Sequence, residues 1–380
     1  MCYSLNMSEI NSFLQLSQEI NQRLNQLNIN QATPVQNEII PRILKGENII
    51  FQSETGTGKT FAYLLPLIDR LEKDQNKTDT KILIIAPTFE LASQINQAAK
   101  SVTDRKTALL IGGAPIRRQI EILKEKPQIV IGTAARLVEL IRLKKLKIQN
   151  LFAIVFDETD RLVKKEARED TENLRALIGN NVELIACTAT INQQTKIFYG
   201  GIENVILPPE NILQTKITHW AIFAENRDKI DTLRKFLLAE KPEKALVFTS
   251  RADQVENIYN KLKYKKIDCQ ALHAKTDKQK RKSTFDSFRS GKCNLLITSD
   301  LAARGLDIPN ISHIIQMDLP NDDDFFIHRS GRTARAGKKG INVVIGDEYE
   351  MQHFAALEKK LKITVYPKEI REGKVIEPIT

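Results

Sequence analysis

The sequence predicts an α/β protein of two tandem domains, each a mostly parallel sheet covered by helices. Three observations predict it. Short, continuously apolar runs alternate with longer helical patterns. The alternation stops at Leu207-Pro208-Pro209-Glu210-Asn211 and then restarts. The length of 380 residues suits two separate cores. A strand that is apolar at every position is buried on both faces, as in a parallel sheet lying between helices.

In chain order, the first half carries Ile49-Ile50-Phe51, Ile82-Leu83-Ile84-Ile85, Ala108-Leu109-Leu110-Ile111, Ile129-Val130-Ile131, Ala153-Ile154-Val155-Phe156 and Leu184-Ile185-Ala186. Helical stretches such as 61–71 and 91–100 separate them. Two prolines at 208 and 209 stop regular structure. Strands resume at Ala245-Leu246-Val247-Phe248, Leu295-Leu296-Ile297, His313-Ile314-Ile315 and Val343-Val344-Ile345. The expected organisation is a first domain over 1–208, a linker over 209–214, a second domain over 215–366 and a short mixed-charge tail over 367–380.

Composition narrows the class. Hydrophobic residues at 42% with 27% charged are ordinary for a soluble globular protein. No apolar run approaches the roughly 18–20 residues that span a membrane. Residues 1–9 show no basic stretch leading into an apolar core, so no secretory signal is visible. Cys2, Cys187, Cys269 and Cys293 form no C-x-x-C pair, which argues against a metal or disulfide framework and for a reducing cytoplasm. The net charge of +10 favours a polyanionic partner. The lysine-rich stretches near 144–147 and 261–266 read as solvated helix faces.

Chemistry concentrates in three places. Ser53-Glu54-Thr55-Gly56-Thr57-Gly58-Lys59-Thr60 stands between a strand and a helix and reads as a phosphate loop. Small residues there let backbone N–H groups wrap phosphates, Lys59 supplies a point charge and Thr60 a hydroxyl for Mg²⁺. Asp157-Glu158-Thr159-Asp160 ends the run 153–156, at the carboxyl edge where α/β sheets present their ligand crevice. Asp157 is placed to hold Mg²⁺ through water, and Glu158 to orient or deprotonate an attacking water. Far downstream, Arg332 and Arg335 lie three apart, so that both face one ligand as a transition-state clamp. A nucleotide and a clamp on separate halves make hydrolysis depend on closure of the two halves.

Taken together, these residues resemble the DEAD-box family of ATP-dependent RNA helicases, of helicase superfamily 2, over nearly the whole chain. The tetrapeptide reads D-E-T-D rather than D-E-A-D. The resemblance implies two RecA-like domains of the P-loop NTPase kind, ATP and Mg²⁺ as cofactors, and single-stranded RNA lying across both. Ala32-Thr33-Pro34-Val35-Gln36 is similar to the family's Q motif, which makes Gln36 the adenine reader. A glutamine amide offers one donor and one acceptor to that base edge. RNA contacts are implied for Pro87 and Thr88, Gly113, Thr133 and Arg136 in the first domain, and for Arg251, Arg281 and Ser299 in the second. Asp307 is implied to meet the ribose. Thr188 and Thr190, in Thr188-Ala189-Thr190, resemble the family's coupling motif, and the resemblance implies that His328 links that motif to the acidic tetrapeptide that ends in Asp160.

Several positions depart from the family pattern. Phe89 stands where arginine is usual, Ala134-Ala135 where Pro-Gly is usual, Asn28-Ile29 where Gly-aromatic is usual, and Ala334 replaces a glycine between the two arginines. Phe13 is the candidate for the aromatic upstream of Gln36. These departures spare the ATP chemistry and fall on RNA contacts or adenine packing. The resemblance points to a compact, monomeric, cytoplasmic bacterial-type enzyme that remodels short RNA duplexes, on ribosomal or messenger RNA with ribosomal or RNP partners. Two alternatives stay open: an ATP-dependent clamp or non-catalytic RNA-binding scaffold, and a DNA helicase. His273 and Trp220 read as packing residues.

Overall fold

The computed structural model describes residues 11–53, 57–76, 78–179, 181–188, 191, 193–200, 202–206, 212–273, 276–300, 308, 310–320, 322–334 and 338–378. The chain divides into two compact units, 1–209 and 210–380. Among the described residues no helix is long and apolar enough to cross a membrane.

In the N-terminal unit the strands are β1 (Ile49–Gln52), β2 (Ile82–Ile85), β3 (Thr107–Leu110), β4 (Ile129–Gly132), β5 (Ala153–Phe156), β6 (Glu183–Thr188) and β7 (Glu203–Ile206). They form one parallel sheet in the order β3-β4-β2-β5-β6-β1-β7. The helices are α1 (Gln18–Gln26), α2 (Pro34–Leu44), α3 (Lys59–Glu72), α4 (Phe89–Val102), α5 (Ile116–Lys124), α6 (Ala134–Arg142), α7 (Thr159–Leu162), α8 (Lys165–Ile178) and α9 (Gln193–Phe198). Alternate strand residues feed two cores, which is why the runs read as continuously apolar. Phe51, Ile84, Val155 and Ile185 face the core that includes residues of α2, α3 and α4. Ile50, Ile85, Ile154 and Phe156 face the core that includes residues of α6 and α8.

The C-terminal unit begins, among described residues, with the single turn α10 (Ile212–Thr215) and strand β8 (Ile217–Phe223). Then follow α11 (Lys229–Glu240), β9 (Ala245–Thr249), α12 (Ala252–Tyr264), β10 (Gln270–Leu272), α13 (Lys278–Arg289), β11 (Leu295–Ser299), β12 (His313–Gln316), the helix Asp323–Ser330, β13 (Gly340–Gly346), the helix Glu348–Leu361, β14 (Val365–Arg371) and β15 (Lys374–Ile376). The sheet order is β10-β11-β9-β12-β13-β8-β14-β15, with only the β14–β15 pair antiparallel.

Two expectations need correction. Residues 367–376 are no tail: β14 pairs with β8 and turns into β15. An edge hairpin has a solvated face and alternates charge with apolar residues, so the continuous-run criterion missed it. Residues 212–214, placed in the linker, lie in α10, whose Leu213 packs against residues of the C-terminal core. Strand β8 also escaped the criterion, because His219 and Trp220 interrupt its apolar pattern. Trp220 lies edge-on to Phe236, with the Lys368 ammonium over its ring.

Candidate active site

All strands of the N-terminal sheet run parallel, so the loops after them gather on one edge. Strand order divides that edge. Loops after β5, β6 and β1 bring the acidic tetrapeptide, Thr188 and the phosphate loop together; loops after β3, β4 and β2 bring residues 111–114, 133–136 and 86–88 side by side.

The phosphate loop leaves β1 at Ser53, whose hydroxyl lies 2.7 Å from that of Thr57. Gly58 caps α3 in the left-handed region, with φ of 97° and no side-chain cap on the helix. A Cβ at Gly58 would stand 2.6 Å from Gln36 Nε2, so glycine is required both by φ and by space. The uncapped end of a 14-residue helix offers N–H donors and a positive dipole to an anion. Lys59 Nζ donates to the Ser53 carbonyl at 2.7 Å, folding its charge over the loop. These features fit a polyphosphate. Thr60 follows Lys59 in the first turn of α3. Glu54, Thr55 and Gly56 lie outside the described residues.

Gln36 is nearly buried, at 3% exposure. Its Oε1 accepts from the Thr33 N–H at 2.9 Å in a capping box, and its Nε2 donates to the Gly58 carbonyl at 3.1 Å. Each end keeps one further hydrogen-bonding position for a base. Phe13 is buried in the core and offers no face for stacking.

Asp157 ends β5, where its N–H donates to the Ile85 carbonyl. Tyr63 donates its hydroxyl to Asp157 Oδ2 at 2.8 Å, while the Cys187 thiol and the Glu158 N–H donate to Oδ1 at 2.9 and 2.8 Å. Burial pushes the Asp157 carboxyl above its ordinary range, the Cys187 and Tyr63 bonds oppose this, and the Glu158 charge adds to it. The Lys59 charge offsets this only in part, and the hard carboxylate oxygen together with the Thr60 hydroxyl suits Mg²⁺. Among the described residues no cluster of three or more His, Cys, Asp or Glu could hold a metal alone. Tyr63 and Cys187 were not foreseen from sequence: Tyr63 lies in the helical stretch 61–71, and Cys187 directly follows the run 184–186.

Glu158 adopts the left-handed conformation, φ 50° and ψ 52°, a strained state for a residue with a side chain. Arg161 Nη1 holds its Oε2 at 2.7 Å. Thr188 donates to Asp160 Oδ1 at 2.8 Å, with both side chains buried, so the ends of β5 and β6 are tied. Thr190 lies outside the described residues.

On the other part of the edge, Thr88 caps α4 through its hydroxyl and follows Pro87. Phe89, at the first position of α4, is 39% exposed. Gly113 has φ of 74° and open space around it. Arg136 Nη1 donates to the Ala114 carbonyl at 3.0 Å, joining the loop after β3 to the helix that Thr133 precedes. Gln119 grips the same loop with two bonds to Ile111, a contact with no sequence signal. Ala134-Ala135 simply begins α6, with no irregular turn.

In the C-terminal unit, Arg329 is the centre of the site edge. Its guanidinium forks onto Asp300 with two bonds of 2.5 Å, and also reaches the Asp318 carbonyl, Ser250 Oγ and Gln316 Oε1. Burial alone would raise Asp318, but the Arg329 charge and bonds from Ser250 and Thr249 hold it below the carboxylate range. Arg329 therefore ties together the ends of β11, β9 and β12, a role that sequence reading passed over beside Arg332. Ser299 ends β11, buried; exposed Arg251 pairs with Asp253; Arg281 lies on α13. His328 is nearly buried in the last turn of its helix, and Arg332 follows that helix. Asp307 and Arg335 lie outside the described residues.

Fold and site define a two-unit P-loop NTPase core. Residues 33–198 match the DEAD/DEAH box helicase family, and residues 228–337 the helicase conserved C-terminal domain. The DEAD-box ATP-dependent RNA helicase CshC of Bacillus cereus is 36% identical over 356 residues, covering 91% of this chain and 90% of that protein. The probable ATP-dependent RNA helicase YfmL of Bacillus subtilis is 34% identical over 367 residues, covering 94% and 96%. Mss116p bound to ssRNA and AMP-PNP matches with a TM-score of 0.84 at 26% identity, covering 97% of this chain and 80% of that one. S. cerevisiae Dbp5 bound to RNA and ADP BeF3 shares the fold, with a TM-score of 0.84 at 24% identity over 94% and 96%. The chain belongs to the DEAD-box family of ATP-dependent RNA helicases.

Proposed function

We propose that this chain is an RNA-dependent ATPase that remodels short RNA duplexes or RNPs by closing its two units on ATP and RNA. The observation that carries the reading is the convergence of Gln36, Lys59 and Asp157 around the uncapped start of α3. Gln36 reads the adenine edge, Ser53 to Thr60 cradle the phosphates, and Lys59 swings from the Ser53 carbonyl to the β/γ-phosphates. Thr60, and Asp157 through water, would hold Mg²⁺, which would supply positive charge to the phosphate oxygens. Glu158, fixed by Arg161, orients the attacking water and takes its proton. Arg332 and Arg335 stabilise the charge that develops on the transferred group. Asp307 meets the ribose, and Asp160, Thr188, Thr190 and His328 couple nucleotide to RNA.

RNA runs over Pro87, Thr88, Gly113, Thr133 and Arg136 and continues onto Arg251, Arg281 and Ser299, mainly through its phosphates. The protein acts as a cytoplasmic monomer, with ribosomal RNA or an RNP as the class of target. ATP turnover measured alone, with single-stranded RNA and with the same sequence as DNA tests the reading. Stimulation by RNA and not by DNA is expected, because a backbone reader senses the 2′-hydroxyl. Equal stimulation by DNA would overturn it.

A further inference from the structure

A row of buried polar side chains crosses the C-terminal sheet. Asn342 on β13 pairs in register with His219 on β8, and Gln316 on β12 pairs with Val344, two residues on. All three therefore point from the same face of the sheet. That face is otherwise apolar, with Leu319, Phe326, Val344 and Phe354, and the His219 ring stacks on Phe326 at 6.0 Å. Unpaired polar groups there would be costly. Instead they form a chain running one way. Arg329 Nη1 donates to Gln316 Oε1 at 3.3 Å, and Gln316 Nε2 to Asn342 Oδ1 at 2.9 Å. Asn342 Nδ2 donates to His219 Nδ1 at 3.1 Å, and His219 Nε2 to the Leu213 carbonyl at 2.8 Å. Burial lowers the imidazole to about 4, so it is neutral and the row fixes its tautomer.

The two ends of the row meet again through apolar contact. Leu213 lies in α10, the turn that follows the crossing between units at 209–210. Its side chain packs on Ile217 and on the buried methyl of Ala334. Ala334 holds φ of 55°, a left-handed conformation that is strained for a residue with a side chain. The methyl that creates this strain is the group that reaches Ile217, a contact a glycine would lack. Thus α10 touches the arginine turn through a polar row and an apolar one.

We propose that Gln316, Asn342 and His219 are positioning residues, through which the segment entering the C-terminal unit at Leu213 sets the orientation of Arg329 and of the turn bearing Arg332. The inference rests on Arg332 serving catalysis, and it adds residues that touch neither nucleotide nor RNA. Displacement of α10 moves the Leu213 carbonyl, and each donor in the row must follow or be left unpaired.

Three full-length variants test it: His219→Phe, His219→Gln and Asn342→Leu. Turnover is measured at saturating RNA, together with amide exchange of Gly331, Arg332 and Thr333, whose N–H groups bond to Ile327, Arg329 and Ser330. His219→Phe and Asn342→Leu should lower kcat roughly 10- to 100-fold while KM for ATP moves less than about twofold. The three amides should exchange faster in both. His219→Gln, which keeps a donor and an acceptor, should retain parent values in both measurements. Asn342→Leu carries the test if His219→Phe does not fold. Parent kcat and parent exchange in the broken variants would overturn the proposal, as would equal impairment by Gln and Phe. If the parent itself shows no turnover, the functional reading fails, and the exchange result still decides the relay.

Discussion

The carboxamide of Gln36 donates to the carbonyl of Gly58 at 3.1 Å, so the residue proposed to read the base also holds the end of the phosphate loop where α3 begins. The same amide closes the capping box of α2 through Thr33. The proposed base reader and the phosphate loop therefore share one hydrogen-bonded unit.

Replacing Gln36 by Ala removes both functions. ATP affinity should fall roughly 30-fold, the effect of two hydrogen bonds of about 1 kcal/mol each. The preference for ATP over GTP should largely disappear, and loss of the cap should destabilise the N-terminal unit by about 1 kcal/mol. Equilibrium titration with both nucleotides and thermal unfolding check this.

Glu158→Gln keeps a side-chain oxygen for Arg161 but removes the base. Turnover should drop about 10²–10⁴-fold, while RNA is still retained in the presence of ATP. Parent turnover in this variant would mean that Glu158 is not the group acting on water.

Phe89 is partly exposed at the first turn of α4, not enclosed in a pocket. An arginine there meets the unfavourable end of the helix dipole, about 0.5 kcal/mol. Phe89→Arg should nonetheless tighten RNA binding with a non-hydrolysable ATP analogue and steepen the salt slope by about 0.7 for a single strand. The gain should not depend on RNA sequence. Binding at two salt concentrations decides it; weaker binding with a lower melting temperature would count against it.

His219 gives a pH signature. Its folded-state value of about 4 lies below the ordinary 6.5, so between these the unfolded chain binds the extra proton and acid destabilises the fold. From pH 7 to 5 this site should remove roughly 2 kcal/mol. His219→Gln lacks that loss, so its C-terminal unit should lose correspondingly less stability than the parent over that interval. Identical pH dependence in parent and variant would show that His219 does not titrate this way.

Much of this was legible in the residues. Runs such as 82–85 and 153–156 are apolar throughout because both faces of the sheet are covered, and that pattern placed Asp157 at a strand end. Contacts between distant segments were not legible. Nothing local marks Tyr63 or Cys187 as partners of Asp157, or Arg329 as the tie between Asp300 and Asp318. Each is set by which strands neighbour one another. Phe13 shows the reverse failure: its type suited a base-stacking role, and its packing buried it.

The most direct test of the account is ATP turnover by the intact chain and by the isolated N-terminal unit, residues 1–209, each with and without single-stranded RNA. That unit holds its own sheet and two cores, together with the phosphate loop, Asp157 and Glu158. If the arginine turn of the second unit completes the site, the intact chain should show RNA-stimulated turnover, and the isolated unit should bind ATP yet hydrolyse it negligibly and ignore RNA. RNA-stimulated hydrolysis by residues 1–209 at the intact rate would contradict it.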